Sequence, residues 1–223
     1  MKRNRKHPLV LSLCFLTAFA LWTAMLCRID VQAIGPRNSA VGLAEVNRFF
    51  HSLTGVHLSL YVLTDWLGLI PVGLGMGFAL LGLVQWVKRR SIARVDRSLL
   101  ILGGFYLTVL AAYLFFEEFV VNYRPVLIDG CLEASYPSST TLLALCITPT
   151  ALRQLNGRIR RQPLRLCVSG LLTVFMVFMV AGRLLSGVHW LTDIIGGALL
   201  SAGLVKMYDF LTGGRPEGGG LNP

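Results

Sequence analysis

Three stretches of this 223-residue chain carry side chains suited to holding an anion and attacking it. The first is Asn122-Tyr123-Arg124-Pro125, just after Glu117-Glu118. The second is Tyr136-Pro137-Ser138-Ser139-Thr140-Thr141. The third runs from Gly182-Arg183 through Ser186-Gly187-Val188-His189 to Asp193. Arg124 and Arg183 supply planar guanidinium forks that match phosphate oxygens two at a time. Pro137 suits the first turn of a helix, so the N–H groups and hydroxyls of Ser138, Ser139 and Thr140 would form an anion site at a helix start. His189 and Asp193 are four apart and share a face if helical. A carboxylate beside an imidazole fixes its tautomer and stabilises its protonated form, an arrangement that serves a nucleophilic or general-base histidine. Singly, each feature has a plainer reading: a snorkelling arginine, an interfacial histidine, a helix cap. Together they describe a phosphoryl-transfer centre.

The elements that must position these groups follow from composition. Apolar types make up 54% of the chain and charged types 14%, with a mean hydropathy of +0.64. Soluble domains carry about 25% charged residues, so a water-soluble enzyme is excluded, as is a disordered chain. The sequence predicts an all-α integral membrane bundle of six transmembrane helices, over residues 8–27, 67–87, 98–119, 139–152, 164–185 and 190–211. The fourth is short and is expected to gain a turn at either end. The first reads as a retained helix rather than a signal peptide, because its apolar run exceeds the usual signal core.

Charge sets the expected orientation. Lys2, Arg3, Arg5 and Lys6 precede the first span. Lys88, Arg89, Arg90, Arg94 and Arg97 lie between the second and third, and Arg153, Arg158, Arg160, Arg161 and Arg165 between the fourth and fifth. The positive-inside bias then places both termini in the cytoplasm and all three polar stretches outside it, in a multi-pass protein of the cell membrane. The basic loops are expected to meet anionic lipid head groups, with no nucleic acid partner. Asn38 and Ser39 are candidate caps for a short helix whose apolar side is Val41, Leu43, Val46, Phe49, Phe50 and Leu53, read either as an interfacial helix or as a buried connector. Gly73, Gly77, Gly103, Gly104, Gly196 and Gly197 read as close helix packing. The Gly- and Pro-rich tail 213–223 is expected to be disordered, beyond a single membrane domain over 1–212. The five cysteines have no metal-site spacing. Cys27 and Cys131 fall on the outer side, where oxidation is chemically open to them, but no bridge is expected.

The order Arg124-Pro125, Pro137-Ser138, Arg183-x5-His189-x3-Asp193 resembles the type-2 phosphatidic acid phosphatase superfamily, which includes lipid phosphate phosphatases and bacterial undecaprenyl-diphosphate phosphatases. The resemblance implies a six-helix fold and a phosphatase of lipid phosphates. It implies that His189 attacks phosphorus and carries a phosphohistidine, that Asp193 orients it, and that Arg124, Arg183 and Ser138 hold the phosphate oxygens. Ser139 and Thr140 would assist, and no metal or other cofactor enters this scheme.

The sequence departs from the family pattern at three places. Glu117 stands where the pattern has Lys, Pro137-Ser138-Ser139-Thr140 replaces Pro-Ser-Gly-His, and Gly182 precedes Arg183 instead of Ser. The missing histidine would protonate the departing oxygen, help worth about 10²–10⁴-fold. A lipid phosphate leaving from a diphosphate needs that proton far less than an alkoxide does, so lipid or polyprenyl diphosphates are the expected substrates. Glu117 or Glu118 would pair with an arginine, bind a cationic head group, or act as a replacement acid. Two other functions fit the same residues: a lipid phosphotransferase, and a lipid-phosphate binder or transporter without catalysis.

Overall fold

The computed structural model describes residues 6–213; the tail expected to be disordered lies, from residue 214 on, outside the described residues. Eight α-helices appear in it: α1 (His7–Leu26), α2 (Ala44–Thr54), α3 (Leu58–Leu67), α4 (Leu69–Arg89), α5 (Arg97–Glu118), α6 (Ser139–Arg158), α7 (Gln162–Leu185) and α8 (Leu191–Leu211). Five helical segments are long and apolar enough to cross a membrane: α1, α3 with α4 as one stretch, α5, α7 and α8. The described chain is all-helical apart from isolated bridges, and its apolar helices make it a multi-pass membrane protein.

The second span starts earlier than the sequence predicts, at Leu58 rather than 67. The stretch breaks once, after Leu67, because Pro71 has no N–H to offer the Leu67 carbonyl one turn back. Asp65 therefore belongs to a span and not to a connector.

Helix α6, expected as the fourth span, is 20 residues long and is not among the five apolar segments. Its polarity has a cause in its position. Half of its residues are buried, including Thr140, Thr141, Thr148, Thr150 and Gln154, and it packs against α4, α5, α7 and α8. Neighbouring helices cover it more than they cover α1, α4 or α7. The Thr150 hydroxyl donates to Cys146 O at 2.8 Å, and the Gln154 amide donates to the Tyr208 hydroxyl at 2.7 Å.

The long segments alternate in direction, so the chain from α4 to α5 and the chain from α6 to α7, with their arginines, sit at one end of the bundle. The three polar stretches sit at the other. Helices α1 and α8 lie side by side: the Ser12 hydroxyl donates to Gly203 O at 2.8 Å. At the polar end, Tyr136 wedges between α1, α5 and α8. Its hydroxyl meets Thr23 Oγ1 at 2.7 Å and its ring stacks on Phe19. The ring lies so close to α8 that any side chain at Gly196 would strike it.

Close packing holds at Gly196 and Gly197, whereas Gly73, Gly77, Gly103 and Gly104 have open space around them. The cap expected at Asn38 and Ser39 is also corrected. Helix α2 begins at Ala44, and Asp30 serves its start by accepting from Glu45 N at 2.8 Å. Val46, Phe49 and Leu53 of α2 are exposed, while Asn47 turns inward and is fully buried.

Candidate active site

The site is assembled from chain ends. The loop after α5 doubles back as a small hairpin around Asp129-Gly130, both with positive φ, as a two-residue turn requires. Arg124 N donates to Glu133 O at 3.0 Å, and Ser135 N to Asn122 O at 2.9 Å. This pairing sets Arg124 and Ser135 beside each other. Because α5 ends at Glu118, Arg124 is a hairpin residue and not a continuation of the helix that would align it with Glu117.

The other side comes from the turn between α7 and α8. Gly187 has φ +68 and meets the Gly55 carbonyl so closely that a Cβ there would collide with it. His57 N donates to Ser186 O at 2.9 Å, tying the start of α3 to the end of α7. Helix α8 starts at Leu191, so His189 precedes it and the pair His189/Asp193 is not set by a shared helical face. Asp193 instead caps the helix, accepting from Trp190 N at 2.9 Å. Asn122 Nδ2 donates to its other oxygen at 3.2 Å, and the Asn122 carbonyl oxygen of the side chain accepts from Gly42 N at 3.3 Å. Asn47 extends this lacing, donating to Gly42 O and to the Thr192 hydroxyl at 2.9 and 3.0 Å.

His189 sits at the centre, 4% exposed. Its Nδ1 lies 3.2 Å from Ser135 O and 3.7 Å from Asp193 Oδ2. A carbonyl oxygen only accepts, so Nδ1 carries the proton. Nε2 then holds a lone pair, and the Arg124 Nη1 donates to it at 3.2 Å. Burial, reinforced by the charges of Arg124 and Arg183, holds the imidazole well below its ordinary pKa. It is neutral at pH 7. The residue bonded to Nδ1 is the Ser135 backbone, and Asp193 adds its carboxylate from slightly farther away.

The two guanidinium groups share a neighbour absent from the sequence reading. Arg124 and Arg183 lie over the ring of Tyr61, at 5.7 and 4.8 Å from its centre. Arg183 is 1% exposed. Its Nη1 donates to Tyr61 O and the Thr64 hydroxyl, and its Nη2 to Asp65 Oδ1, each at 3.3 Å. Arg124 Nε is 3.0 Å from Glu133 Oε2. The arginines therefore pair with Glu133 and Asp65, and neither pairs with Glu117 or Glu118. Arg183 Nε is a buried donor without a hydrogen-bond partner in the chain.

The expected helix-start residues divide among different tasks. Ser138 is fully buried; its N–H donates to Asp193 O at 3.1 Å and its hydroxyl accepts from Thr141 N at 3.4 Å. It caps α6 and joins α6 to α8. Ser139 lines a cleft together with His189, Ser135, Tyr136 and Glu117. Thr140 is buried and is not on that cleft, and Glu118 is exposed outside it. Among the described residues, no three His, Cys, Asp or Glu side chains group as a metal site would need.

A scan of protein-family models finds no match to this sequence, and a search of curated proteins likewise finds none. A solved structure does match: the crystal structure of the first transmembrane PAP2 type phosphatidylglycerolphosphate phosphatase from Bacillus subtilis. The TM-score is 0.53 at 18% identity, over 89% of this chain and 94% of the other. The two share a fold. The shared fold covers 89% of this chain, so the helices that carry the site and those that frame it belong to one architecture.

Proposed function

We propose that this protein is an integral-membrane phosphatase of the type-2 phosphatidic acid phosphatase kind, acting on lipid phosphates and preferring lipid or polyprenyl diphosphates. The observation that carries this reading is the fixed tautomer of His189: Nδ1–H is held by the Ser135 carbonyl and the Nε2 lone pair faces Arg124. Nε2 attacks phosphorus, the lipid leaves with its bonding pair, and a phosphohistidine forms. Water then attacks this intermediate and releases inorganic phosphate. Arg124 and Arg183 stabilise the charge that develops on the phosphoryl oxygens, Ser139 contributes a hydroxyl at the cleft, and Asp193 balances charge at Nδ1–H. PAP2-type fold and motif order support the same assignment.

The leaving-group argument gives the substrate class. A threonine hydroxyl donates no proton usefully near pH 7, and Thr140 stands where the family pattern has its acid. A diphosphate carries its own good leaving group. The distribution of arginines favours a site facing away from the cytoplasm, since the basic chain segments lie at the opposite end of the bundle. Phosphate release by the detergent-purified chain, measured on lipid mono- and diphosphates beside His189→Ala, tests the reading. Turnover that is lost in the variant is expected; equal turnover by both proteins would overturn it.

A further inference from the structure

We propose that Glu117 is the general base that activates the hydrolytic water, a task that rests on the phosphatase reading above. In the cleft beside the imidazole, Glu117 supplies the one carboxylate among the lining residues. The cleft leaves about 10 Å³, close to the least that holds a single water. Its walls are Glu117, His189, Ser135, Ser139 and the rings of Phe116 and Tyr136. Glu117 has no salt bridge to either site arginine, since these are engaged by Glu133 and Asp65. Its carboxylate is therefore available to accept a proton. Tyr113, one turn earlier on α5, lines the same cleft and sets its hydroxyl against Glu117.

The chemistry assigns the carboxylate to the second half of the reaction. A carboxylate is a base, and general-base help requires reach to the proton directly or through one water. The water oxygen forms a bond to phosphorus while the bond from phosphorus to Nε2 breaks. The bonding pair returns to Nε2, Nδ1 keeps its proton, and the proton lost by water passes to Glu117 and then to solvent. A neutral amide at the same place has no such capacity, and neither does Thr140, which lies off the cleft.

Trapping the intermediate tests this. The full-length protein in detergent is mixed with a polyprenyl diphosphate labelled at its terminal phosphorus and quenched in alkali, which preserves phosphohistidine. With Glu117→Gln, phosphate release is expected to fall by about 10²-fold, while the labelled protein accumulates above the wild-type level. Formate is expected to restore release in Glu117→Ala. Unchanged release in Glu117→Gln, or lowered release with no gain in labelled protein and no formate rescue, overturns the base role and leaves the phosphatase reading standing. A wild-type protein that gives neither phosphate nor label overturns that reading, and the base with it. If Glu117→Gln does not fold, as judged by gel filtration, the formate response of Glu117→Ala decides.

Discussion

Arg124 Nη1 stands 3.2 Å from His189 Nε2, so the positive group that awaits phosphate is in contact with the lone pair that would attack it. The contact does two things at once. It keeps the imidazole unprotonated, because a second positive charge there is repelled. Under the proposed mechanism it also marks the spot where a phosphoryl oxygen comes between the two groups.

Arg124→Ala is expected to lower kcat/KM on lipid diphosphates by about 10²–10³-fold, the scale of losing one positioned donor to developing charge. It should also raise the pKa of His189, since one of the charges that depresses it is gone. An NMR titration of the His189 ring in both proteins checks this. A midpoint that does not move up in the variant would contradict the contact as described.

The contribution of His189 to stability should fall on acidification. His189 has a depressed pKa in the folded protein and an ordinary value of about 6.5 when unfolded. The unfolded chain therefore binds more protons below pH 6.5, and its free energy drops relative to the native state. The stabilisation from neutral His189 is complete above that pH and is lost as pH falls through the folded pKa. The difference in thermal unfolding between wild type and His189→Gln, in detergent between pH 7 and pH 5, measures it, with a slope of up to about 1.4 kcal/mol per pH unit from this group. His189→Gln should have a flatter profile.

Thr140→His is expected to raise turnover of phosphatidate while changing diphosphate turnover little, because a restored acid assists the poorer leaving group more. The gain expected lies toward the lower end of about 10²–10⁴-fold, as Thr140 is buried away from the cleft. Phosphate release from both substrate classes, by variant and parent side by side, is the measurement. A folded variant with no gain on phosphatidate would count against the leaving-group argument.

Gly187→Ala should destabilise the protein by more than about 1 kcal/mol, since a Cβ meets both a positive φ and the Gly55 carbonyl. The lower melting temperature should come with a larger loss of activity than of fold, because this turn aims His189. Gly73→Ala, with open space around the site, is the control and should leave the melting temperature within about 2 °C.

Much of the fold is legible because hydrocarbon solvent demands apolar runs of helix length, and the sequence shows them plainly. The exceptions are instructive. Polar α6 is shorter in the hydropathy pattern than in space because its threonines are buried against neighbouring helices. Leu58–Leu67 reads as a connector because Asp65 interrupts its apolar run, although that acid is there to hold Arg183. An acid inside a span is a functional signal in its own right, and Tyr61 lies one turn before it on the same face. Among site residues, Arg124, His189 and Asp193 lie together and Arg183 shares the Tyr61 ring with Arg124, through loop geometry that the residue spacing does not give. Ser135 was beyond reach, since a backbone carbonyl has no residue type. The Asp129-Gly130 pair is the legible sign of the hairpin that brings that carbonyl to the imidazole.

The burial of α6 also constrains how the protein is made. A segment with five buried hydroxyl or amide side chains gains little from acyl chains, and it leaves the ribosome before α7 and α8, two of the helices that enclose it. Its seating in the bundle is therefore expected to be completed late, when those later helices arrive to enclose it. Assembly of the proposed catalytic end is then coupled to synthesis of the residues after Leu185, and a chain truncated at the end of α7 would lack both His189 and one of the helices that enclose α6.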